Sequence, residues 1–399
     1  MQLKNLNLLV ITNRYPHPKD SLVASFIKAQ VDSLKNNFNK IFVISIIPFI
    51  PPLLSKFPFL NPRWRRDALA SDYKYNNVEV HFAKYPTLSF EYSREKRGEK
   101  AFKIVNKIIQ KYEIKFDLIH AHFLYPAGFV GSRLKEEYNK PFVVTGHGYD
   151  VYNLPFRNDK WNEKIRSVLN LADFITTPSK SNQEKLKLLG VESEKICVIY
   201  NGFNPKVFRA MPTDVARKEL GLPRDKKIIL SVGHLEPVKG HEYLIKAMKI
   251  IMDKTDDVLC LIVGSGSKER YLKNLISKLN LENNVILAGG RPHSEIPLWM
   301  NACDVFVLPS LSEGNPTVMF EALGCGKPFV GTKVGGIPEI ITNEKLGILV
   351  EPKNVIELAS TILKALGKNW DRNYILEYAK QFSWDKIVKQ ILNIYSRLV

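Results

Sequence analysis

The sequence predicts an α/β protein made of two doubly wound domains. Three observations carry the prediction. Short apolar runs of the length and composition of buried parallel strands recur along the chain, each followed by a polar loop and a segment of helical period. Helices and strands alternate too regularly for segregated α+β layers. The alternation lapses over residues 203–226, where Pro205, Pro212 and Pro223 punctuate the chain, and resumes at Lys227. With 399 residues the chain is long for one domain and comfortable for two. The halves repeat an architecture, with no internal sequence repeat.

In the first half, residues 6–11 are an apolar strand that ends in the polar loop 12–16, and 25–34 read as a helix. Strand, loop and helix in that order open a Rossmann-like unit. Strands follow at 41–47 and 78–82, flanking a segment rich in Pro, Phe, Trp and Arg. Residues 93–112 form a basic helix with Phe102, Val105, Ile108, Ile109 and Tyr112 at helical spacing. A strand at 117–120 ends in His-Ala-His, and a helix spans 126–137. The strand 142–145 runs into Gly146-His147-Gly148-Tyr149-Asp150. A helix at 161–170, a strand at 174–177, a helix at 179–189 and a strand at 196–199 lead to the turn Asn201-Gly202.

In the second half, strands at 228–232, 258–263, 285–288, 305–308, 328–330 and 348–350 alternate with helices near 243–252, 269–279, 296–301, 317–323 and 338–341. The tail, 384–398, is amphipathic through Ile387, Val388, Ile391, Leu392, Tyr395 and Leu398. It is either a helix on the second domain or one that crosses back onto the first.

Composition narrows the functional classes. Hydrophobic content of 45% and charged content of 25% are those of a globular protein. Cys197, Cys260, Cys303 and Cys325 lack metal-ligand spacing and read as reduced packing residues of a cytosolic protein. Residues 1–11 lead straight into a strand, which does not suit a signal peptide. The longest apolar run, 41–54, holds three prolines and is too short to span a bilayer. The net charge of +18 calls for an anionic partner: nucleic acid, a membrane surface or a polyanionic substrate. No nucleic-acid motif is present. Residues 53–115 combine many Lys and Arg with Phe57, Phe59, Leu60 and Trp64, a pattern that suits an anionic membrane surface.

The stretch 304–339 carries the chemistry. Residues 305–308 are a buried strand, 309–315 a loop, Pro316 suits the first position of a helix, and Gly324 or Gly326 can end that helix. A helix N-terminus behind a glycine loop is an anion site. Glu313 stands in the loop and Glu321 interrupts the apolar helix, where an acid needs a partner. Two carboxylates flanking an anion site are suited to accept from hydroxyls on either side of it. Ribose, diphosphate and sugar meet that description, so the expected ligand is a nucleotide sugar.

Gly233 allows close backbone approach after the first strand of the second domain, and Lys239 sets a cation beside the same loop, on the side opposite Gly314. Val263-Gly264-Ser265-Gly266 is a partial dinucleotide fingerprint. His147, between two glycines at a strand end, has room to project from a tight turn. His120 and His122 share one strand face with only Asp117 near them, a poor metal set. Neither a nucleophile elbow nor a Cys nucleophile context is present.

Taken together, His147-Gly148-x-Asp150, Asn201-Gly202, Gly233 through Gly240, Glu313-Gly314 with Glu321, and Gly335-Gly336-x-Pro338-Glu339 resemble the retaining glycosyltransferases of family 4 (group 1, GT-B fold), over nearly the whole chain. The resemblance implies two facing Rossmann-like domains with a central cleft. It places an acceptor-side domain at 1–203, a linker at 204–226, a nucleotide-sugar domain at 227–380, and a helix at 381–399 that crosses back. It implies that Glu313 contacts the donor sugar, Glu321 the ribose, and Lys239 and the backbone after Gly314 the diphosphate. His147 is implied near the sugar across the cleft. Gly233, His234, Arg291, Asn315, Pro316 and Thr317 complete the implied donor site, and Glu313, His147 and Lys239 the catalytic set.

The implied reaction moves a hexosyl group from a UDP- or GDP-sugar to a hydroxyl of a glycan or lipid-linked acceptor, with retention and without metal or other cofactor. The alternative is a nucleotide-sugar epimerase on the same fold. The expected location is the cytoplasm, peripheral on the inner face of the membrane, in polysaccharide biosynthesis. Two departures stand out: His234 replaces the family's usual Arg, and Asp20-Ser21-Leu22-Val23-Ala24 replaces a glycine pair.

Overall fold

The computed structural model describes residues 3–17, 25–49, 69–86 and 96–399. It divides into two compact units, one of Met1–Tyr200 with Asp385–Val399, the other of Asn201–Trp384. The loop 20–24, and residues 53–68 and 87–95 of the aromatic-basic stretch 53–115, lie outside the described residues.

Among the described residues the first unit holds an eight-stranded sheet. Its strands are β1 (Asn7–Thr12), β2 (Lys40–Phe49), β3 (Tyr73–Tyr75), β4 (Val78–Pro86), β5 (Leu118–His122), β6 (Phe142–Thr145), β7 (Phe174–Thr177) and β8 (Ile196–Val198). The order is β3-β4-β2-β1-β5-β6-β7-β8, parallel throughout except for the β3–β4 pair. Leu8, Leu9, Val10 and Ile11 are all buried, because helices cover both faces of the central strands; hence β1 reads as an unbroken apolar run. Val105 and Ile109 of helix Arg97–Lys111 and Val130 and Leu134 of helix Phe129–Tyr138 form one core with Phe142. Side-chain caps start the helices Asp159–Leu171 (Asn158) and Lys180–Leu188 (Ser179). The helix expected at 126–137 begins only at Phe129, because an irregular turn, Leu124–Gly128, with Tyr125 extended, precedes it.

The second unit holds a parallel sheet of β9 (Lys227–Val232), β10 (Val258–Val263), β11 (Val285–Gly289), β12 (Val305–Leu308), β13 (Phe329–Thr332) and β14 (Gly347–Val350), in the order β11-β10-β9-β12-β13-β14. The order reverses between β9 and β12. In such a sheet the ligand crevice lies outside the carboxyl ends of the strands at that switch point. The loops after β9 and β12 are the two that carry Lys239 and Glu313.

Further features depart from expectation. The stretch taken as linker contains a helix, Thr213–Leu220, in the second unit. Its Arg217 is buried and donates to the carbonyl of Ala302 (2.9 Å) and the carboxylate of Asp304 (2.8 Å). Prolines bracket that helix but do not enter it, and Gly221, at φ +65°, ends it. Pro316 is the N-cap and not the first helical residue, since the helix begins at Thr317. Helices Val355–Gly367 and Arg372–Ala379 follow the last strand, the first burying Leu358, Ala359, Ile362 and Ala365. The tail helix, Trp384–Tyr395, runs into the first unit, where the hydroxyl of fully buried Tyr395 hydrogen-bonds His120 Nδ1.

Candidate functional site

In the second unit, backbone packs directly on backbone around the switch point. After β9 the turn Pro237–Lys239 closes on Gly240, at φ +65°, where a Cβ would lie 2.0 Å from the carbonyl oxygen of Pro309. Gly335, at φ +53°, would set a Cβ 1.8 Å from the carbonyl oxygen of Glu313. Only glycine satisfies both conditions. The loops are tied by hydrogen bonds from Leu311 N to Val238 O (2.7 Å) and from Gly336 N to Gly314 O (2.9 Å). A rigid backbone frame therefore sets where the side chains meet.

Lys239 Nζ donates to Glu313 Oε1 at 2.7 Å, and the Ser310 hydroxyl donates to the same oxygen at 2.6 Å. The Glu313 side chain is 9% exposed and that of Lys239 21%. The sequence reading set the cation across from the Gly314 loop; the fold brings it onto the carboxylate of that loop. Pro316, which has no N–H, precedes helix Thr317–Gly324. The first-turn N–H groups of a helix have no acceptor within it and point outward with the positive dipole end. A cation thus meets the Glu313 carboxylate in the loop that leads into that helix N-terminus.

Glu321 lies on the same helix, buried, with its Oε1 2.8 Å from His293 Nε2. The partner that a buried acid requires is a residue that sequence reasoning missed. That hydrogen bond and the carboxylate charge raise the His293 pKa above the ordinary imidazole value, against the effect of burial. Arg291 is exposed, its Nε bonded to Ala288 O (3.1 Å) and its guanidinium 5.2 Å from the centre of the Trp299 ring. His234 is exposed and Gly233 packs near the Lys239 stem. Asn315 was expected among the donor contacts. Its side-chain carbonyl accepts from Asn201 N (3.0 Å), and Asn201 Nδ2 donates to Asn315 O (2.6 Å). Asn315 thereby secures the Asn201-Gly202 turn.

In the first unit, buried Asp150 builds the turn that carries His147. Its carboxylate accepts from the N–H groups of Leu124 (2.8 Å), Gly148 (2.8 Å) and His147 (3.2 Å). His147 packs against Phe26 and Phe123, with ring centroids 5.0 and 4.7 Å away. Its Nε2 lies 3.1 Å from His122 Nδ1, and His122 stacks on His120. Burial pushes the pKa of His120 and of His147 down to about 3, and that of His122 well below its ordinary value. These imidazoles are neutral at physiological pH, so His147 offers a hydrogen bond and not a positive charge.

Two Rossmann-like α/β domains, one with Glu313 before a helix N-terminus and Glu321 within that helix, have the layout that the sequence resemblance implies. Comparison with known proteins agrees. Residues 212–382 match the family described as glycosyl transferases group 1, and residues 62–207 match glycosyltransferase family 4. An uncharacterized glycosyltransferase of Methanocaldococcus jannaschii is 33% identical over 70% of this chain and 75% of its own. D-inositol 3-phosphate glycosyltransferase of Thermobispora bispora is 28% identical over 71% of each chain. Anabaena HepE, solved in complex with UDP-glucose, shares the fold at a TM-score of 0.74 and 24% identity, over 99% of this chain and 100% of its own. The chain belongs to the group 1 glycosyltransferases, of the family 4 type.

Proposed function

We propose that the protein is a retaining, metal-independent transferase that moves a hexosyl group from a nucleoside-diphosphate sugar to a hydroxyl of a glycan or lipid-linked acceptor. The observation that carries this reading is the convergence of Lys239, Ser310 and Glu313 at the β9/β12 switch point, beside the N-terminus of the helix that bears Glu321. In this reading Lys239 leaves Glu313 for the diphosphate, and the helix N-terminus takes part of the same charge. Glu313 then accepts from the donor sugar's hydroxyls and Glu321 from the ribose. The crystallisation of HepE with UDP-glucose favours a nucleotide sugar as donor.

The chemical step breaks the bond from the anomeric carbon to the leaving phosphate oxygen and forms one to the acceptor oxygen on the same face. The acceptor proton passes to the leaving diphosphate, so no side chain acts as nucleophile. Positioning and stabilisation of the leaving charge supply the catalysis. Thermal-shift screening with UDP, GDP, ADP and their sugars tests donor binding, since a ligand stabilises the fold by mass action. Product NMR then reads the anomeric configuration, and EDTA should leave the rate unchanged. Conversion of the donor without acceptor would point to an epimerase instead.

A membrane-borne acceptor has its own support. Lys96, Lys100, Lys103, Lys107 and Lys111 are all exposed and recur every three to four residues along helix Arg97–Lys111 and its N-cap. That spacing gathers them on the face opposite buried Gly98, Ala101, Val105 and Ile109. A lysine stripe of this kind suits an anionic bilayer surface. Among the described residues no helix is long and apolar enough to cross a membrane.

A further inference from the structure

His293 stands in the loop between β11 and helix Ile296–Ala302, outside the helix that carries Glu321. Two elements remote in sequence hold its ring. Buried Phe208 meets it edge-on, with centroids 5.1 Å apart and the planes at 60°. Glu321, 5% exposed, takes its Nε2 at 2.8 Å. The other charged residues near it in sequence are Arg291 and Glu295 on its own loop, and Arg209 lies beside Phe208. Arg291 is engaged with Ala288 and Trp299, and Arg209 O accepts from Asn301. Glu321 is thus the carboxylate to which the imidazole is bound.

A carboxylate can accept several hydrogen bonds through its two oxygens. We infer that His293 is a positioning residue for Glu321: it holds Oε1, so that Oε2 faces the vicinal hydroxyls of a ribose. This rests on the proposed nucleotide-sugar reading. Without the imidazole, a carboxylate inside an apolar helix either turns or takes up a proton. Both outcomes cost it acceptor capacity toward a diol. With the imidazole, the carboxylate is ordered before the ligand arrives, which lowers the cost of binding.

The test compares the preferred nucleoside diphosphate with its 2′,3′-dideoxy analogue, by calorimetry, for the wild type, His293→Ala, His293→Gln and Glu321→Gln. The wild type should favour the ribonucleotide by about tenfold or more, the contribution of one charge-assisted hydrogen bond. His293→Ala should lose most of that preference, as Glu321→Gln does, with dideoxy affinity unchanged. His293→Gln, whose amide can donate, should keep most of it. An unaltered preference in His293→Ala, or equal losses on both ligands, would overturn the assignment. If the wild type binds no nucleoside diphosphate, the nucleotide reading itself fails. NMR titration of the His293 ring then still tests the pair: its pKa should fall in Glu321→Gln, and an unchanged pKa would refute the coupling.

Discussion

Replacing Glu313 by Gln keeps the volume of a side chain that is 9% exposed and removes its charge. Two hydrogen bonds converge on Oε1, from Lys239 at 2.7 Å and from Ser310 at 2.6 Å. A hydrogen bond to a charged group contributes about 1.5–3 kcal/mol, so losing one such bond to the donor sugar corresponds to roughly ten- to hundredfold in turnover. The effect on free diphosphate should run the other way. Lys239 no longer has a carboxylate to leave, so affinity for nucleoside diphosphate should hold or improve, by up to about tenfold. Glu321→Gln should instead weaken diphosphate binding by about ten- to hundredfold, because the ribose is part of the free nucleotide. Calorimetry with nucleoside diphosphate and single-turnover kinetics separate the two effects. Equal weakening of diphosphate binding by both changes would refute the division of roles. No effect from either would reduce both residues to structural acids.

Four further outcomes follow from the structure. Gly335→Ala, with its Cβ 1.8 Å from Glu313 O at φ +53°, should cost more than about 1 kcal/mol and abolish activity, read as a lower Tm together with lost turnover. Lys327→Met removes hydrogen bonds to Asn301 O and Cys303 O, both 2.8 Å, and leaves two buried carbonyls unpaired. Denaturant unfolding should register a loss of about 1–3 kcal/mol per carbonyl. His120 and His147 titrate near 6.5 when unfolded and near 3 when folded, so below pH 6.5 the unfolded chain binds more protons. Their stabilisation is whole above pH 6.5 and fades as pH falls toward 3; Tm against pH should show that loss, reduced in His120→Gln. Finally, the protein should sediment with anionic vesicles and not with neutral ones, and Lys100→Glu with Lys103→Glu and Lys107→Glu should end the binding. Equal binding to both vesicle types would exclude an electrostatic membrane surface.

The parallel strands of the two sheets were legible in the chain, and the short antiparallel β3 was not. A strand covered on both faces is apolar throughout, and Leu8–Ile11 and Val305–Leu308 are short apolar runs bounded by polar loops, as such strands are. The Glu313 loop was legible too, as a glycine loop between a strand and a helix N-terminus, whereas the close backbone approach at Gly240 and Gly335 came only from the fold. The helix Thr213–Leu220 was not legible. The three prolines around it obscure its local stop at Gly221, and Arg217, which anchors it, finds its acceptors Ala302 and Asp304 85 and 87 residues further on. Nor did the chain reveal that Asn315 serves the Asn201 turn, since their bond spans 114 residues.

Tertiary structure alone decided the partners of the two glutamates. Lys239 meets Glu313 across 74 residues because the sheet order sets β9 beside β12. His293 meets Glu321 across 28 residues, and nothing in the local pattern around Pro292-His293-Ser294 announces an imidazole bound to a carboxylate. Periodicity and backbone conformation are local properties, so residue order records them. A hydrogen bond between side chains on different elements depends on strand order and loop packing, which exist only once the chain has folded.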